Sequence, residues 1–241
     1  FAAYELIEQG ERRTLPLADC AGLLRDDARA AGLHARITGA RAPLTLGGRT
    51  LHFEQPHVAG ILNVTPDSFS EGRPRHDDPV AAAEAGLAMI EAGAALIDLG
   101  GESTRPGAAP VSEGEELRRL EPVVRALVHL GAVISVDTRK AAVMAAALSW
   151  GARIVNDVSA LEGPRSLETV ARTGACAVLM HMQGEPATMQ RAPSYDLASL
   201  DVADYLGSRI ASCIEAGIEP HRLVVDPGFG FGKTVAHNLE M

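Results

Sequence analysis

Positive charge and aromatic residues are scarce in this chain. It carries 22 Lys and Arg against 31 Asp and Glu, a formal net charge of −9, and 4% of its residues are aromatic. A general nucleic-acid surface needs a basic stripe, so this balance argues against a nucleic-acid partner, and an anionic substrate would require a local cluster of donors. With 46% hydrophobic residues, Ala, Leu and Val must build most of the core.

Paired cysteines and long apolar runs are also missing. The three cysteines, Cys20, Cys176 and Cys213, are widely scattered and form no C-x-x-C motif. This argues against a disulfide framework and against a cysteine zinc site. No apolar run approaches the roughly 18 residues of a membrane span, and no signal-peptide pattern is present. We therefore expect a soluble, cytoplasmic protein without a membrane partner.

The first 43 residues lack a strong pattern, and we expect an N-terminal extension, 1–43, that is partly helical or flexible. Within it, Leu17–Ala31 places two leucines among charges and predicts one short amphipathic helix. A hairpin is predicted within 44–56, because two short apolar runs flank a Gly-Gly turn. It should cover the amino-terminal end of the sheet that follows. The residues expected to be buried there are Leu44, Leu46, Leu51 or Phe53.

From His57 onward, apolar runs alternate with helix-like stretches. The six runs are 58–63, 95–100, 132–137, 153–157, 175–181 and 222–226. Continuous apolar strands alternating with helices predict a parallel sheet buried on both faces. A doubly wound sheet is possible, but the glycine signature usual after its first strand is absent. A TIM (β/α)8 barrel fits better. A complete barrel needs eight units, so we expect an α/β barrel domain over 44–241 that lacks its last two β/α units in this chain.

A polar residue closes or nearly closes each apolar run. These residues are Asn63, Asp98, Asp137, Asn156, His181 and Asp226. Turns favour Asp and Asn, so a single such position says little. Six in succession favour a site, because all strands of a parallel barrel end at one face. Asp and Asn suit the edge of a flat heterocycle with alternating N–H and C=O groups. The absence of Ser-His-Asp, H-E-x-x-H and paired-cysteine arrangements favours binding and positioning over covalent catalysis.

The stretch DPGFGFGKT, 226–234, resembles two nucleotide-binding motifs without matching either. A Walker A loop would need glycine where Pro227 stands, and a dinucleotide fingerprint would need glycine where Lys233 stands. A plain flexible turn is one alternative. We favour a loop whose three glycines let its backbone approach a flat ligand, with Asp226 as the acceptor. Lys233 is interpreted as a solvated residue at a helix start.

Five motifs occur in a fixed order along the chain: GILNVTPDSFS (60–70), GGESTRPGA (100–108), SVDT (135–138), NDVSAL (156–161) and DPGFGFGK (226–233). Together they resemble the dihydropteroate synthases, which are pterin-binding barrels, over the chain from about residue 43 to its end. The resemblance implies a transferase of folate biosynthesis. Such an enzyme condenses 6-hydroxymethyl-7,8-dihydropterin pyrophosphate with p-aminobenzoate to give 7,8-dihydropteroate and pyrophosphate. A homodimer and a sulfonamide target are implied as well.

The same resemblance assigns roles to individual residues. Asn63 would bind the Mg²⁺ that bridges the pyrophosphate. The residues that would hold the pterin ring or line its pocket are Asp137, Asn156, Met180, Asp226 and Phe231. The loop residues that would close over the pyrophosphate and p-aminobenzoate are Phe69, Thr104 and Arg105. Arg105, as a fixed positive donor to the leaving phosphate, and Asp137 are the expected catalytic residues. On the simpler alternatives, Met180 is plain core and Phe69 a loop anchor.

The chain departs from the family pattern in places. Glu71-Gly72-Arg73 stands where the family usually has Asp-Gly-Gly. The family's seventh-strand lysine and Ser-Arg pair and its eighth-strand Arg-x-His have no counterpart in the sequence. Two alternatives follow. A methyltetrahydrofolate-binding methyltransferase shares the barrel but has no need of ESTRPG and TPDSFS. A non-catalytic homologue would keep the fold as a binding or structural partner.

Overall fold

The protein divides into two compact units, 1–42 and 43–241. Its computed structural model describes residues 3–8, 11–65, 78–103 and 110–241. No helix within these ranges is both long and apolar enough to cross a membrane.

The first unit contains a two-stranded hairpin and two helices. Its elements are β1 (Ala3–Glu8), β2 (Glu11–Pro16), α1 (Cys20–Asp26) and α2 (Ala28–Thr38). The prediction of one helix over Leu17–Ala31 is therefore wrong. Asp27 has an extended backbone (φ −121°, ψ 105°), and its Oδ1 accepts hydrogen bonds from the backbone N of Arg29 at 2.8 Å and of Ala30 at 3.0 Å. An aspartate in this conformation caps the start of a new helix, and so it divides the predicted one.

The second unit begins with the predicted hairpin. Its strands are β3 (Leu44–Leu46) and β4 (Arg49–Leu51), which pair antiparallel. They are joined by Gly47 and Gly48, both at positive φ, a conformation that glycine adopts without steric cost. The three hairpin leucines are buried against residues at the starts of the central strands, namely Ala95, Val133, Ile154 and Cys176. This confirms that the hairpin covers the amino-terminal end of the sheet. Phe53 remains 43% exposed.

Six strands, each followed by a helix, make up the rest of the unit. They are β5 (Ala59–Asn63), α3 (Pro79–Glu91), β6 (Leu96–Gly100), α4 (Glu113–His129), β7 (Ile134–Asp137), α5 (Ala141–Ser149), β8 (Ile154–Asp157), α6 (Ser166–Thr173), β9 (Cys176–Met180), α7 (Ala198–Glu215), β10 (Leu223–Asp226) and α8 (Val235–Glu240). The strands pair in parallel and in chain order, with β5 and β10 at the two edges of the described sheet. Each predicted apolar run contains one of these strands, which confirms the parallel α/β prediction. The expected burial of both faces does not hold at the edges of the described sheet, where Ile61 on β5 is 67% exposed and Val225 on β10 is 46% exposed.

Close helix packing holds this sheet in place. On α4, Leu120, Val123, Val124 and Leu127 have no exposed surface, because they recur at the spacing of one helix face. Gly86 on α3 lies opposite: a Cβ there would come within 2.8 Å of Leu127 Cδ1. The missing side chain therefore lets α3 approach α4. With one face of the sheet covered by helices, the carboxyl ends of the strands form a rigid base for polar side chains.

Candidate active site

Four neighbouring strands bring their last or next-to-last residues into one row. The pairing register places Asn63 beside Gly100, Gly100 beside Asp137, and Asp137 beside Asn156. A Cβ at Gly100 would lie 2.7 Å from Asn63 Oδ1 and 3.7 Å from Asp137 Oδ2. Because glycine leaves this space open, the two side-chain oxygens converge in front of β6. This is the arrangement expected of a site at the carboxyl end of a parallel sheet.

Asn156 is hydrogen-bonded to Asp98. Asp98 lies on β6, two residues before Gly100. Asn156 Nδ2 donates a hydrogen bond of 2.9 Å to Asp98 Oδ2. The remaining oxygens, Asn156 Oδ1 and Asp98 Oδ1, are buried and find no hydrogen-bond partner among the residues that the structure describes. Burial raises the pKa of Asp98, although the Ser135 side chain lies close enough to offset part of that rise. A buried polar atom without a partner is costly, on the order of 1–3 kcal/mol. Two such acceptors on residues that are hydrogen-bonded to each other point to a ligand that donates hydrogen bonds.

Asp137 lies in an acidic part of the site. Burial raises the pKa of Asp137 well above its ordinary value, and neighbouring carboxylates raise it further; these are Asp98, Asp157, Glu116 and Glu102. Burial also raises the pKa of Asp98. Perturbed carboxyl groups at the end of a parallel sheet are typical of a binding or catalytic site.

Lys140 offsets part of this negative charge. Its Nζ donates to the carboxylates of both Glu102 and Glu116, and the Glu116 side chain is only 1% exposed. Arg139 adds contacts to Glu102 at 3.6 Å and to Glu185 at 3.1 Å. The loops after β6, β7 and β9 are thus joined by ion pairs around a cavity of about 140 Å³ that reaches Asp137.

The other side of the site consists of β9, β10 and the loop after β10. Asp226 pairs in register with Met180, a buried residue at 4% exposure. Asp226 Oδ1 accepts a 2.7 Å hydrogen bond from Gly228 N, which leaves Oδ2 as the second acceptor. Phe231 is half-buried in the same loop, and its N donates to Gly228 O at 3.0 Å.

The glycines of this loop pack against protein backbone. A Cβ at Gly228 would collide with His181 O, and one at Gly232 would come within 2.6 Å of Gln183 O. Both glycines also have positive φ, so two independent reasons require glycine there. The glycines were predicted to let the loop approach a flat ligand. At Gly228 and Gly232, the close approach is instead to the backbone of the segment after β9.

Lys233 differs from its interpretation as a solvated residue. It is 3% exposed, and its Nζ lies 2.9 Å from His181 Nδ1, 3.0 Å from Gly228 O and 3.1 Å from Phe231 O. The interpretation was wrong because these acceptors come from a fold in which the loop turns back over its own lysine. His181 is likewise buried in this cluster, at 7% exposure.

Three predicted site residues, Phe69, Thr104 and Arg105, lie outside the described residues. Among those described, sequence reasoning missed Lys140 and its two acidic partners. A signal was present for Glu116: it occupies the apolar face of α4, one turn before Leu120. An acid on the buried face of an amphipathic helix requires a cationic partner. The identity of that partner, 24 residues along the chain, is not contained in the pattern.

Comparison with known proteins agrees with this geometry. Residues 59–241 match the pterin binding enzyme family. The dihydropteroate synthase of Escherichia coli (strain K12) is 51% identical over 195 residues, which are 80% of this chain and 69% of that protein. Among solved structures, the Yersinia pestis dihydropteroate synthase in a sulfonamide drug complex has a TM-score of 0.78 at 48% identity, covering 83% of this chain and 72% of that one. The Burkholderia cenocepacia dihydropteroate synthase complexed with 7,8-dihydropteroate has a TM-score of 0.74 at 43% identity, covering 84% and 69%.

These matches show that the chain belongs to the pterin binding enzyme family. The parallel barrel strands with a polar row at their carboxyl ends agree with this assignment. Within that family its relatives are dihydropteroate synthases, and the fold is the TIM barrel of those enzymes. The matches favour a synthase over the methyltransferase alternative.

Proposed function

We propose that the chain condenses 6-hydroxymethyl-7,8-dihydropterin pyrophosphate with p-aminobenzoate, the dihydropteroate synthase reaction. The observation that carries this proposal is the pair of buried acceptors Asn156 Oδ1 and Asp98 Oδ1, for which the described residues supply no hydrogen-bond partner. They lie at the strand ends of a pterin binding enzyme fold. A pterin edge offers an amino group and ring N–H groups, which are the donors such acceptors lack.

In the proposed complex, Asn156 and Asp226 accept hydrogen bonds from the pterin ring, and Met180 and Phe231 line its faces. Asp137 completes the row. Burial and the neighbouring carboxylates raise its pKa, so a hydrogen-bond donor or a cation beside it would stabilise its charged form. These contacts orient the methylene carbon that carries the pyrophosphate.

The arylamine nitrogen of p-aminobenzoate attacks this methylene carbon. The new C–N bond forms as the C–O bond breaks, the electron pair leaves with pyrophosphate, and the nitrogen loses a proton to solvent. An arylamine is already a usable nucleophile, so alignment and charge stabilisation lower most of the barrier. In this proposal Arg105 donates to the leaving pyrophosphate, and Thr104 and Phe69 close over the substrates.

We propose Mg²⁺ as the cofactor, with Asn63 as its ligand. Mg²⁺ prefers oxygen ligands and is commonly held by one or two protein groups together with substrate phosphates. Asn63 Oδ1 beside Asp137 Oδ2 fits that donor set. Within the described residues no cluster of three or more His, Cys, Asp and Glu residues could hold a metal alone. When bound, the metal would offset the charge that develops on the pyrophosphate.

The test is pyrophosphate release by the intact protein. We expect release that requires both pterin pyrophosphate and p-aminobenzoate and that falls when EDTA removes Mg²⁺. Isothermal titration with pterin pyrophosphate, with and without Mg²⁺, separates binding from turnover. Metal-dependent binding without release would identify a non-catalytic homologue, and the absence of binding would overturn the proposal. We propose further that sulfonamides compete with p-aminobenzoate and that the protein is cytoplasmic. We also propose that it is a homodimer, and sedimentation would test this oligomeric state.

A further inference from the structure

Lysine is rare in this chain and is confined to the candidate site. Of its 22 Lys and Arg residues only two are lysines, Lys140 and Lys233. Both have their ammonium groups in hydrogen-bonded clusters at the carboxyl ends of the strands. Lys140 binds two carboxylates. Among the described residues Lys233 instead donates to uncharged acceptors. Burial lowers its pKa to about 8, and the Asp226 carboxylate raises it without being one of its hydrogen-bond partners. Its role therefore lies in the segments to which those acceptors belong.

The ammonium of Lys233 joins two separate segments. His181, at the end of β9, contributes its ring Nδ1 at 2.9 Å and its carbonyl oxygen at 3.4 Å. The loop after β10 contributes the carbonyls of Gly228 and Phe231 at 3.0 and 3.1 Å. A lysine ammonium has three protons on one small centre and can serve acceptors on several sides, whereas the planar fork of arginine cannot.

The protonation state of His181 agrees with this arrangement. Burial first, and then the neighbouring ammonium of Lys233, lower the pKa of His181 to about 4. At neutral pH the imidazole is therefore uncharged. Its Nδ1 faces a group that donates, so the ring proton must be on Nε2. The histidine acts as a fixed acceptor in the cluster.

Two more side chains attach the same loop to the segment after β9. Tyr195 OH donates to Gly232 O at 2.8 Å, and Gln190 Nε2 donates to Gly230 O. The backbone of His181 also donates to Asp226 O at 3.0 Å, which continues the β9–β10 pairing past the strand ends. The segment after β9 and the loop after β10 are thus joined by several hydrogen bonds, with Lys233 buried between them.

We propose that Lys233 is a positioning residue of the pterin site. Its ammonium holds the loop that begins at Asp226 and includes Phe231 against the end of β9, next to Met180. The spacing of these three ring-contacting residues is then set before substrate arrives. This proposal rests on the proposed function. It assigns to Lys233 an effect on pterin binding that does not extend to p-aminobenzoate.

The test is Lys233→Met in the intact protein, with steady-state kinetics for each substrate. We expect KM for pterin pyrophosphate to rise about tenfold or more, because the buried carbonyls of the loop lose their donor, while KM for p-aminobenzoate stays within about twofold. The matched control is Arg209→Met. Arg209 also donates from a mostly buried position to a loop carbonyl, Ala160 O at 3.0 Å, but on the loop after β8. It should lower the melting temperature with no selective change in either KM.

Tyr195→Phe provides a second, milder variant in case Lys233→Met does not fold. It removes one hydrogen bond to the same loop and leaves the ammonium in place, so we expect a smaller rise, about threefold, in KM for pterin pyrophosphate alone. Unchanged pterin KM in Tyr195→Phe and in folded Lys233→Met, or equal changes for both substrates, would overturn the positioning role. Wild-type protein without pterin-dependent turnover would instead overturn the proposed function, so the two failures are distinguishable.

Discussion

The two sides of the candidate site differ in how completely their hydrogen bonds are made. On the β5–β8 side, Asn156 and Asp98 each keep a buried oxygen that has no partner in the part of the chain that the structure describes, and the pKa of Asp137 is raised by burial and neighbouring carboxylates. On the β9–β10 side, Lys233 and Tyr195 bind the loop carbonyls. On the first side, a ligand has to supply the missing hydrogen-bond donors. On the second side, the protein supplies the donors itself. Substitutions on the two sides should therefore have different signatures.

Asp226→Asn should have the largest effect. The new NH₂ would face a pterin donor where a carboxylate oxygen was, leaving a desolvated mismatch of about 1–3 kcal/mol or more, so we expect roughly a hundredfold or greater loss in kcat/KM. The measurement is pterin-dependent pyrophosphate release, with folding checked by thermal melt. Asp201→Asn is the control, because Asp201 accepts backbone hydrogen bonds from Asp196 and Leu197 at the start of α7 and is not one of the proposed ring contacts. Rates near wild type for Asp226→Asn would remove the central acceptor from the site.

Lys140→Met should lower stability strongly. It leaves the Glu116 carboxylate, whose side chain is 1% exposed, without its ammonium, and breaking such a buried pair costs about 3 kcal/mol. Urea unfolding of the wild-type protein and of Lys140→Met measures the loss of unfolding free energy. Arg118→Met is the comparison, because Arg118 forms an exposed ion pair with Glu115 and its loss should barely move the unfolding midpoint. Equal unfolding midpoints for the two variants would mean that the buried pair does not stabilise the β5–β8 side.

Asp98→Asn should reduce activity less than Asp226→Asn, by about tenfold. The change replaces one carboxylate oxygen of Asp98 with NH₂, and a lost buried hydrogen bond costs about 1–3 kcal/mol. The oxygen that remains can still accept the 2.9 Å bond from Asn156 Nδ2, so only the second acceptor is lost. KM for pterin pyrophosphate should rise more than KM for p-aminobenzoate. A loss that matches or exceeds that of Asp226→Asn would make Asp98, and not Asp226, the dominant acceptor of the site.

Asp137→Asn should change how stability depends on pH. The folded-state pKa of Asp137 lies above its unfolded value, so its contribution is fully present below about pH 4 and is lost as pH rises through the folded pKa. The unliganded variant should therefore be more stable than wild type at pH 7.5 and lose less stability between pH 5 and 7.5, although it loses activity. Urea unfolding at both pH values tests this. A wild-type pH slope in the variant would contradict it.

Sequence reasoning located the strands and the ends of the strands with little error. The run 132–137, for example, contains β7 (Ile134–Asp137), and Asp137 ends it as predicted. Buried parallel strands read as continuous apolar runs, so neighbouring residues suffice to find them. The hairpin at Leu44–Leu51 was also found from neighbouring residues, because two short apolar runs flank its Gly-Gly turn. The single helix predicted over Leu17–Ala31 failed because one capping aspartate, Asp27, outweighs a weak periodicity.

The hydrogen-bonded partners of the site could not be predicted in this way. Lys233 binds His181, 52 residues away, Lys140 binds Glu102, 38 residues away, and Asn156 binds Asp98, 58 residues away. Strand order and register bring such pairs together, and neither is contained in a local window of residues.

Hydrophobic periodicity and polar strand ends are local properties of this chain, and they were sufficient to predict a parallel barrel with a binding face. Whether a given lysine is solvated or buried depends on which carbonyls the folded loops place around it. That depends on the packing of the whole sheet, because an ammonium is stable in the interior only where several acceptors converge on it.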